Sequence, residues 1–292
     1  MRKLSVFVIA SVVLLSIIAG VAVASNNGGS SEKKAVLLVA FGSSKESAQI
    51  SFENIDKSVK KAYPDVPVRW AFTSHIIRKK LAGQGKLLDS PEVALAKMMD
   101  EGFTHVAVQS LHTIAGAEYH DLRRVVGSFK TMGGFESIVL GNPMLATQED
   151  MIRAVDAILA AIPKEREKDE AVVLMGHGTH HPANAFYAAL MFQIQLKDPN
   201  VYIGTVEGFP ELDVVLPLMK KNQIKKAYLM PFMSVAGDHA KNDMAGDEDD
   251  SWKSVMTNAG IECVLVLKGT AEFEPFVDIW VDHLGGSLNY FK

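Results

Sequence analysis

The sequence predicts an α/β protein of two similar doubly wound lobes, each a parallel sheet flanked by helices, with an active-site cleft between them. Three observations predict it. Segments recur: Ala35-Val36-Leu37-Leu38-Val39-Ala40-Phe41-Gly42-Ser43 aligns without a gap with Ala171-Val172-Val173-Leu174-Met175-Gly176-His177-Gly178-Thr179, and residues 111–118 align likewise with 232–239. In both halves, apolar runs of strand length alternate with stretches of helical spacing, the order that builds parallel sheets. The paired runs end at Gly42 and Gly178, and glycine permits the tight turn that leads a buried strand into a helix. At 292 residues, 48% hydrophobic and 22% charged, the chain can bury a sizeable core in one or two domains.

Arg2 and Lys3 precede an apolar run over 4–19, and Ala22-Val23-Ala24 offers small residues where a signal peptidase reads. Residues 1–24 are therefore expected to be an export signal, which places the mature chain in the periplasm; an uncleaved membrane anchor is the competing reading. Residues 25–33, rich in Gly, Ser and charge, read as a flexible tether. The first lobe is expected over 34–145. Its strands are 35–40, 66–72, 105–111 and 137–140. Its helices are 47–62, with Ile50, Ile55 and Val59 in helical spacing and Tyr63-Pro64 at the end, then 92–101, with Val93, Ala96 and Met99 on one face and Gly102 as terminator, then 119–130.

A helix over 148–161 and a charged run over 164–170 connect to the second lobe, 146–292. The order then repeats, with strands 171–175, 201–205, 227–232 and 262–267, and helices 184–196, 211–221 and 246–258. Pro217 should kink or shorten the 211–221 helix. A last helix over 273–284 closes the chain, and the sequence leaves open which lobe it joins, a return to the first included.

The formal charge is −4, and −6 once the signal with Arg2 and Lys3 is removed, which excludes nucleic acid as a partner. Cys263 is the only cysteine, so no internal disulfide forms. The oligomeric state is left open, a homo-oligomer included.

In open parallel sheets, ligands bind beyond the carboxyl ends of the strands. Six positions fall there: Phe41, Ser74 and Glu118 in the first half, and His177, Glu207 and His239 at the equivalent places in the second. Singly, His177 and His239 read as packed or capping histidines and Glu207 as a capping or solvated acid. Three independent caps have no reason to occupy three equivalent strand ends. Two imidazoles and a carboxylate suit a divalent metal and leave coordination positions open for substrate. His177 and His181 have i, i+4 spacing, but the glycines and Pro182 oppose the helix that a zinc-protease motif needs.

The remaining candidates keep two readings each. Glu118 is either a carboxylate favoured at a helix start or a base facing the metal across the cleft. Arg78, with Lys79 and Lys80, is either a carboxylate-binding cluster or a solvated helix face. His112 either lines the cleft or packs. His180 and His181 either support the ligands or are exposed. Asp243 and residues 247–250 read as a solvated acidic loop, and Met230, Phe232 and Met233 as core. His120 points away from Glu118 on a helix, which places it outside the cleft as a candidate surface ligand for a second metal or a haem at a subunit contact.

At these residues the chain resembles the sirohydrochlorin cobaltochelatases of the anaerobic cobalamin pathway, class II chelatases related in fold to ferrochelatase. The resemblance covers nearly everything from Lys34 to Leu284. Its most specific segments are Val39-Ala40-Phe41-Gly42-Ser43, Ala71-Phe72-Thr73-Ser74 with Ile77-Arg78-Lys79, Met175-Gly176-His177-Gly178-Thr179, Val206-Glu207-Gly208, and Val235-Ala236-Gly237-Asp238-His239-Ala240 with Asn242-Asp243-Met244. The resemblance implies a lyase-class metal chelatase in which His177, Glu207 and His239 hold the metal beneath a macrocycle. His177, His239 or Glu118 would accept the pyrrole protons, and Gly42, Ser43, Ser74, Arg78, His112 and Gly237 would contact the ring. It implies Co²⁺ as substrate metal, with Fe²⁺ as the alternative, and sirohydrochlorin as partner. No nucleotide-binding glycine fingerprint appears, consistent with a reaction that uses no ATP. The export signal departs from the family pattern, so a second class stays open: an exported metal- or tetrapyrrole-binding transport protein on a chelatase fold.

Overall fold

A computed structural model describes residues 32–291. The expected export signal, and the tether except for its last two residues, lie outside the described residues.

The first sheet is built from β1 (Lys34–Ala40), β2 (Val68–Phe72), β3 (His105–Ser110) and β4 (Ser137–Gly141), with helices α1 (Gln49–Ala62), α2 (His75–Ala82), α3 (Pro91–Asp100) and α4 (Ala117–Met132) between them. After α5 (Gln148–Ala161), the second sheet takes β5 (Ala171–Gly176), β6 (Val201–Thr205), β7 (Lys226–Pro231) and β8 (Glu262–Leu265), with α6 (Ala185–Gln195), α7 (Leu212–Lys221) and α8 (Trp252–Asn258). The chain ends in α9 (Glu274–Asn289).

The two sheets share one plan. The strand orders are β2-β1-β3-β4 and β6-β5-β7-β8, and every pairing is parallel. In each, the order reverses between the first and third strands of the lobe, and folds of this kind bind ligands beyond the carboxyl ends at such a switch. The central strands read as unbroken apolar runs because both faces are covered; β5 is buried at every position.

Alternation along these strands sorts the core into layers. Val36, Leu38 and Ala40 of β1 share a single cluster with Val172 and Leu174 of β5, Met151 and Ala154 of α5, and Phe276 and Trp280 of α9. Their neighbours face outward into separate cores, Leu37 and Val39 with Leu95 and Met98, and Val173 and Met175 with Val215 and Met256. The central cluster fuses the lobes, and α9 packs on β3, β4 and α5. His283 of α9 anchors it there, its Nε2 2.8 Å from Asp150 Oδ1 at the start of α5. Burial raises the Asp150 carboxyl, but hydrogen bonds from His283 and Thr147 hold it below the usual carboxylate range.

The elements depart from expectation at four places. In α3 the buried face is Ala94, Leu95 and Met98, while Val93 and Met99 are 44% and 39% exposed. Ser90 caps this helix by accepting from the Val93 N–H, and its rotation follows the packing on β1 and β2. Helix α7 runs through Pro217 to Lys221 rather than ending. The proline lies on the exposed face, while Val215 and Met219 hold the buried face on either side of it. The expected helix over 246–258 begins only at Trp252, capped by Ser251; four adjacent acids over 247–250 are exposed and would repel one another within a helical turn. Finally, α2 was not anticipated as an element; Ser74 starts it by accepting the Ile77 N–H.

Candidate metal centre

The turn after each central strand is made in the same way. Gly42 and Gly178 both adopt left-handed backbone, with φ of 102° and 83°, a conformation glycine reaches without steric cost. At Gly178 the second reason is space. A β-carbon there would lie 2.8 Å from both the Glu207 carbonyl carbon and Thr205 Cβ. The close approach lets the β5–β6 ladder continue past the strands, with Val206 N–H donating to Gly176 O and Glu207 N–H donating to His177 O at 2.8 Å.

His177 leaves the end of β5, and His239 follows the loop after β7. Their rings meet edge to face, centroids 4.7 Å apart and planes at 89°. Each ring has its Nδ1 occupied. His177 Nδ1 lies 3.0 Å from Gly178 O, to which it donates, and His239 Nδ1 donates to the Asp243 carboxylate. These partners set the tautomer: in both neutral rings the proton is on Nδ1 and the Nε2 lone pair is left for a metal. Asp243, read from sequence as part of a solvated loop, is thus the group that orients His239. The signal was present in the i, i+4 spacing from His239, which a π-type turn over Ala240–Met244 converts into contact. Replacing Asp243 by alanine should weaken Co²⁺ binding about 10- to 100-fold, measured by calorimetric titration, with the thermal midpoint little changed.

Glu207 is placed differently. Its backbone is tied to His177, but its side chain is on an exposed loop, and no group of three His, Cys, Asp or Glu side chains among the described residues is gathered so as to hold an ion. The structure therefore brings two of the three expected ligands together and leaves the side chain of the third exposed at the ladder's last rung.

Residues of the first lobe lie close to this pair. Phe41, 42% exposed, lies 6.2 Å from the His177 ring. Lys45 pairs with Asp238 at 2.8 Å, which holds that carboxyl below its ordinary range. Ser43 is buried beside Gly237, and its Oγ accepts the Lys45 N–H. Ser74 spends its hydroxyl on capping α2. Arg78, half-buried, has an Nε enclosed without a protein partner. Glu118 is exposed in the first turn of α4. His120, expected outside the cleft, is half-buried, its ring 4.7 Å from that of His181 of the second lobe. His181 Nδ1 accepts the Ala183 N–H, so its neutral ring carries the proton on Nε2. A cavity of about 600 Å³ opens elsewhere, between α7 and α8; it touches Asp243 but neither histidine of the pair.

His112 is set deeper. Its Nδ1 is 2.9 Å from Ser110 Oγ, its Nε2 is enclosed without a protein partner, and burial pushes its imidazole down to about 4. It is uncharged at neutral pH. Because the folded value lies below the unfolded 6.5, this histidine's contribution to stability is complete above about 6.5 and is lost as pH falls towards about 4. The expected loss is up to about 3 kcal/mol, and urea midpoints of the chain and of His112→Gln across that window check it, the variant showing the flatter profile.

Two parallel sheets of one strand order, joined through a common core, make the two-lobed fold that solved chelatases share. SirB from Bacillus subtilis, solved with Fe³⁺, has the same fold, with a TM-score of 0.59 and 18% identity over 87% of this chain and 95% of that one. Residues 34–289 match the cobalt chelatase (CbiK) family, and the chain belongs to that family. It is 48% identical over 253 residues to the sirohydrochlorin cobaltochelatase CbiKC of Nitratidesulfovibrio vulgaris, covering 87% of this chain and 90% of the relative. Over 255 residues it is 36% identical to the sirohydrochlorin cobaltochelatase of Salmonella typhimurium, covering 87% and 96%.

Proposed function

We propose that this chain inserts Co²⁺ into sirohydrochlorin without nucleotide, holding the metal on His177, His239 and Glu207. The observation that carries the reading is the pairing of His177 with His239, each with Nδ1 bonded and Nε2 free. Two neutral imidazoles and a carboxylate on a loop tied to His177 give a site whose third arm can swing in on the ion. Open coordination positions remain for the pyrrole nitrogens.

Insertion exchanges one divalent cation for two pyrrole protons. Glu118, in the first turn of α4 on the other lobe, is an exposed carboxylate suited to accept them. Phe41 beside His177 offers an apolar face to a flat ring, while Arg78 and Lys45 supply cationic groups for its carboxylates. The reading extends to export: the basic start, apolar run and Ala22-Val23-Ala24 site support a periplasmic enzyme released after Ala24.

The test is to incubate the purified chain from Ser25 onward with sirohydrochlorin and Co²⁺ or Fe²⁺ and follow the ring's visible spectrum. Enzyme-dependent conversion to the cobalt complex is expected, faster with Co²⁺. Tight binding of metal or ring with no acceleration over the uncatalysed rate would instead make the chain a carrier.

A further inference from the structure

An ion pair joins the first lobe to the second beside the two histidines. Lys45 stands three residues past the turn at Gly42, and Asp238 immediately precedes His239. Lys45 Nζ is 2.8 Å from Asp238 Oδ1, and the side chains are 35% and 37% exposed. The backbones that carry them are anchored while the side chains are free to exchange partners. Lys45 N–H donates to the Oγ of buried Ser43, and that oxygen would lie 3.6 Å from a β-carbon on Gly237. Phe41, on the same segment as Lys45, has its ring 6.2 Å from that of His177.

The pair is not needed to hold the lobes together. They already share a core through β1, β5, α5 and α9, and an ion pair this exposed adds little stability, because water solvates both charges when it opens. Its consequence is electrostatic. Left unpaired, the Lys45 ammonium would repel a divalent cation from His177 and His239. Asp238 cancels that charge, and Lys80 of α2 is the next cation to act on the same carboxylate. Any anion that took the ammonium over would cancel it equally well. Sirohydrochlorin carries several carboxylates, each able to accept a charge-assisted hydrogen bond from Lys45 in place of Asp238. We infer, resting on the reading that sirohydrochlorin is the substrate, that Lys45 and Asp238 form an exchange clasp: a carboxylate of the entering ring takes Lys45 Nζ from Asp238. Lys45 is then an anchor for the ring, and Asp238 is the internal competitor that covers it until the ring arrives.

The experiment uses the chain from Ser25 onward, free of metal, and measures sirohydrochlorin binding by equilibrium dialysis in about 0.15 M salt, where charges beyond contact are screened. Lys45→Met should weaken ring binding at least about 10-fold, the size of one charge-assisted hydrogen bond. Lys45→Arg, which keeps the cation, should recover most of that loss. Asp238→Asn should strengthen ring binding about 3- to 5-fold, the worth of an exposed pair, but should have no effect once Lys45 is methionine, because nothing is left to uncover. Lys197→Met is the control. It breaks an exposed pair with Asp156, 2.7 Å long, just ahead of β6 at the amino ends of the strands, and ring binding should not change. Thermal midpoints should stay level in every variant, whereas a structural strut would lower them. Equal effects of Asp238→Asn with and without Lys45 would reduce the pair to simple charge repulsion and overturn the clasp, as would ring binding indifferent to Lys45; cobalt insertion by the wild type would leave the chelatase reading standing in either case. A wild type that neither binds the ring nor inserts cobalt overturns that reading and the clasp with it.

Discussion

Alanine at His177 or at His239 is expected to lower cobalt insertion into sirohydrochlorin at least about 100-fold. The threshold follows from scale: groups that merely orient a metal ligand cost about 10- to 100-fold when removed, so loss of a ligand should cost no less. Either substitution removes one of two imidazoles whose rings are 4.7 Å apart, and neither leaves a substitute donor, because the partner's remaining nitrogen is hydrogen-bonded. Glu207→Ala tests the third arm separately. If Glu207 swings in to complete the site, its loss should weaken Co²⁺ binding in titrations while leaving the thermal midpoint unchanged, as its side chain is exposed. Near-normal insertion rates in all three variants would remove the ligand assignment altogether.

Gly178→Ala should damage stability and activity together. The left-handed backbone costs a non-glycine residue about 1–2 kcal/mol, and the added methyl would press on the Glu207 carbonyl carbon and Thr205 Cβ, both 2.8 Å away. Overpacking of this kind adds about 1–3 kcal/mol. The thermal midpoint should fall by about 5–10 °C, and cobalt insertion should drop further than the fraction unfolded explains, because relief of the clash moves Glu207 away from His177. Gly133→Ala is the control. Its φ is also positive, 70°, but nothing lies within 4 Å of the new methyl, so it should show only the backbone cost and normal insertion. Equal effects of the two substitutions would mean that the approach of the 205–207 segment to the turn does not matter.

Much of the fold was legible because it is written in local periodicity. An unbroken apolar run such as 35–40 or 171–175 is satisfied by a strand covered on both faces, and the helix over 47–62 carried Ile55 and Val59 in helical spacing and an end signal in Tyr63-Pro64. What misled was rotation and termination. The apolar residues of α3 offer two faces, and only contact with β1 and β2 selects Ala94, Leu95 and Met98 over Val93, Ala96 and Met99. Pro217 read as a kink or an early end because the sequence does not show that its ring falls on the exposed side of α7.

At the candidate centre, the donors were legible through the repeat: Phe41, Ser74 and Glu118 of one half are answered by His177, Glu207 and His239 of the other. The partners that orient them were not. Asp243 looked like one acid among many, and His120 looked like a surface residue until the lobes were joined and His181 came to face it.

The amino-acid order alone determined the two strand-and-helix series, the glycines that turn at 42 and 178, and the chemical types at each strand end. These depend on neighbours within a few residues, where steric limits and side-chain periodicity act directly. Only the tertiary structure decided that α9 crosses back to β3 and β4, that the inner faces of β1 and β5 share one core, and that the rings of His177 and His239 meet edge to face with the Nδ1 of each engaged. Those outcomes depend on contacts between segments far apart in the chain, and burial of a common apolar surface selects them all at once.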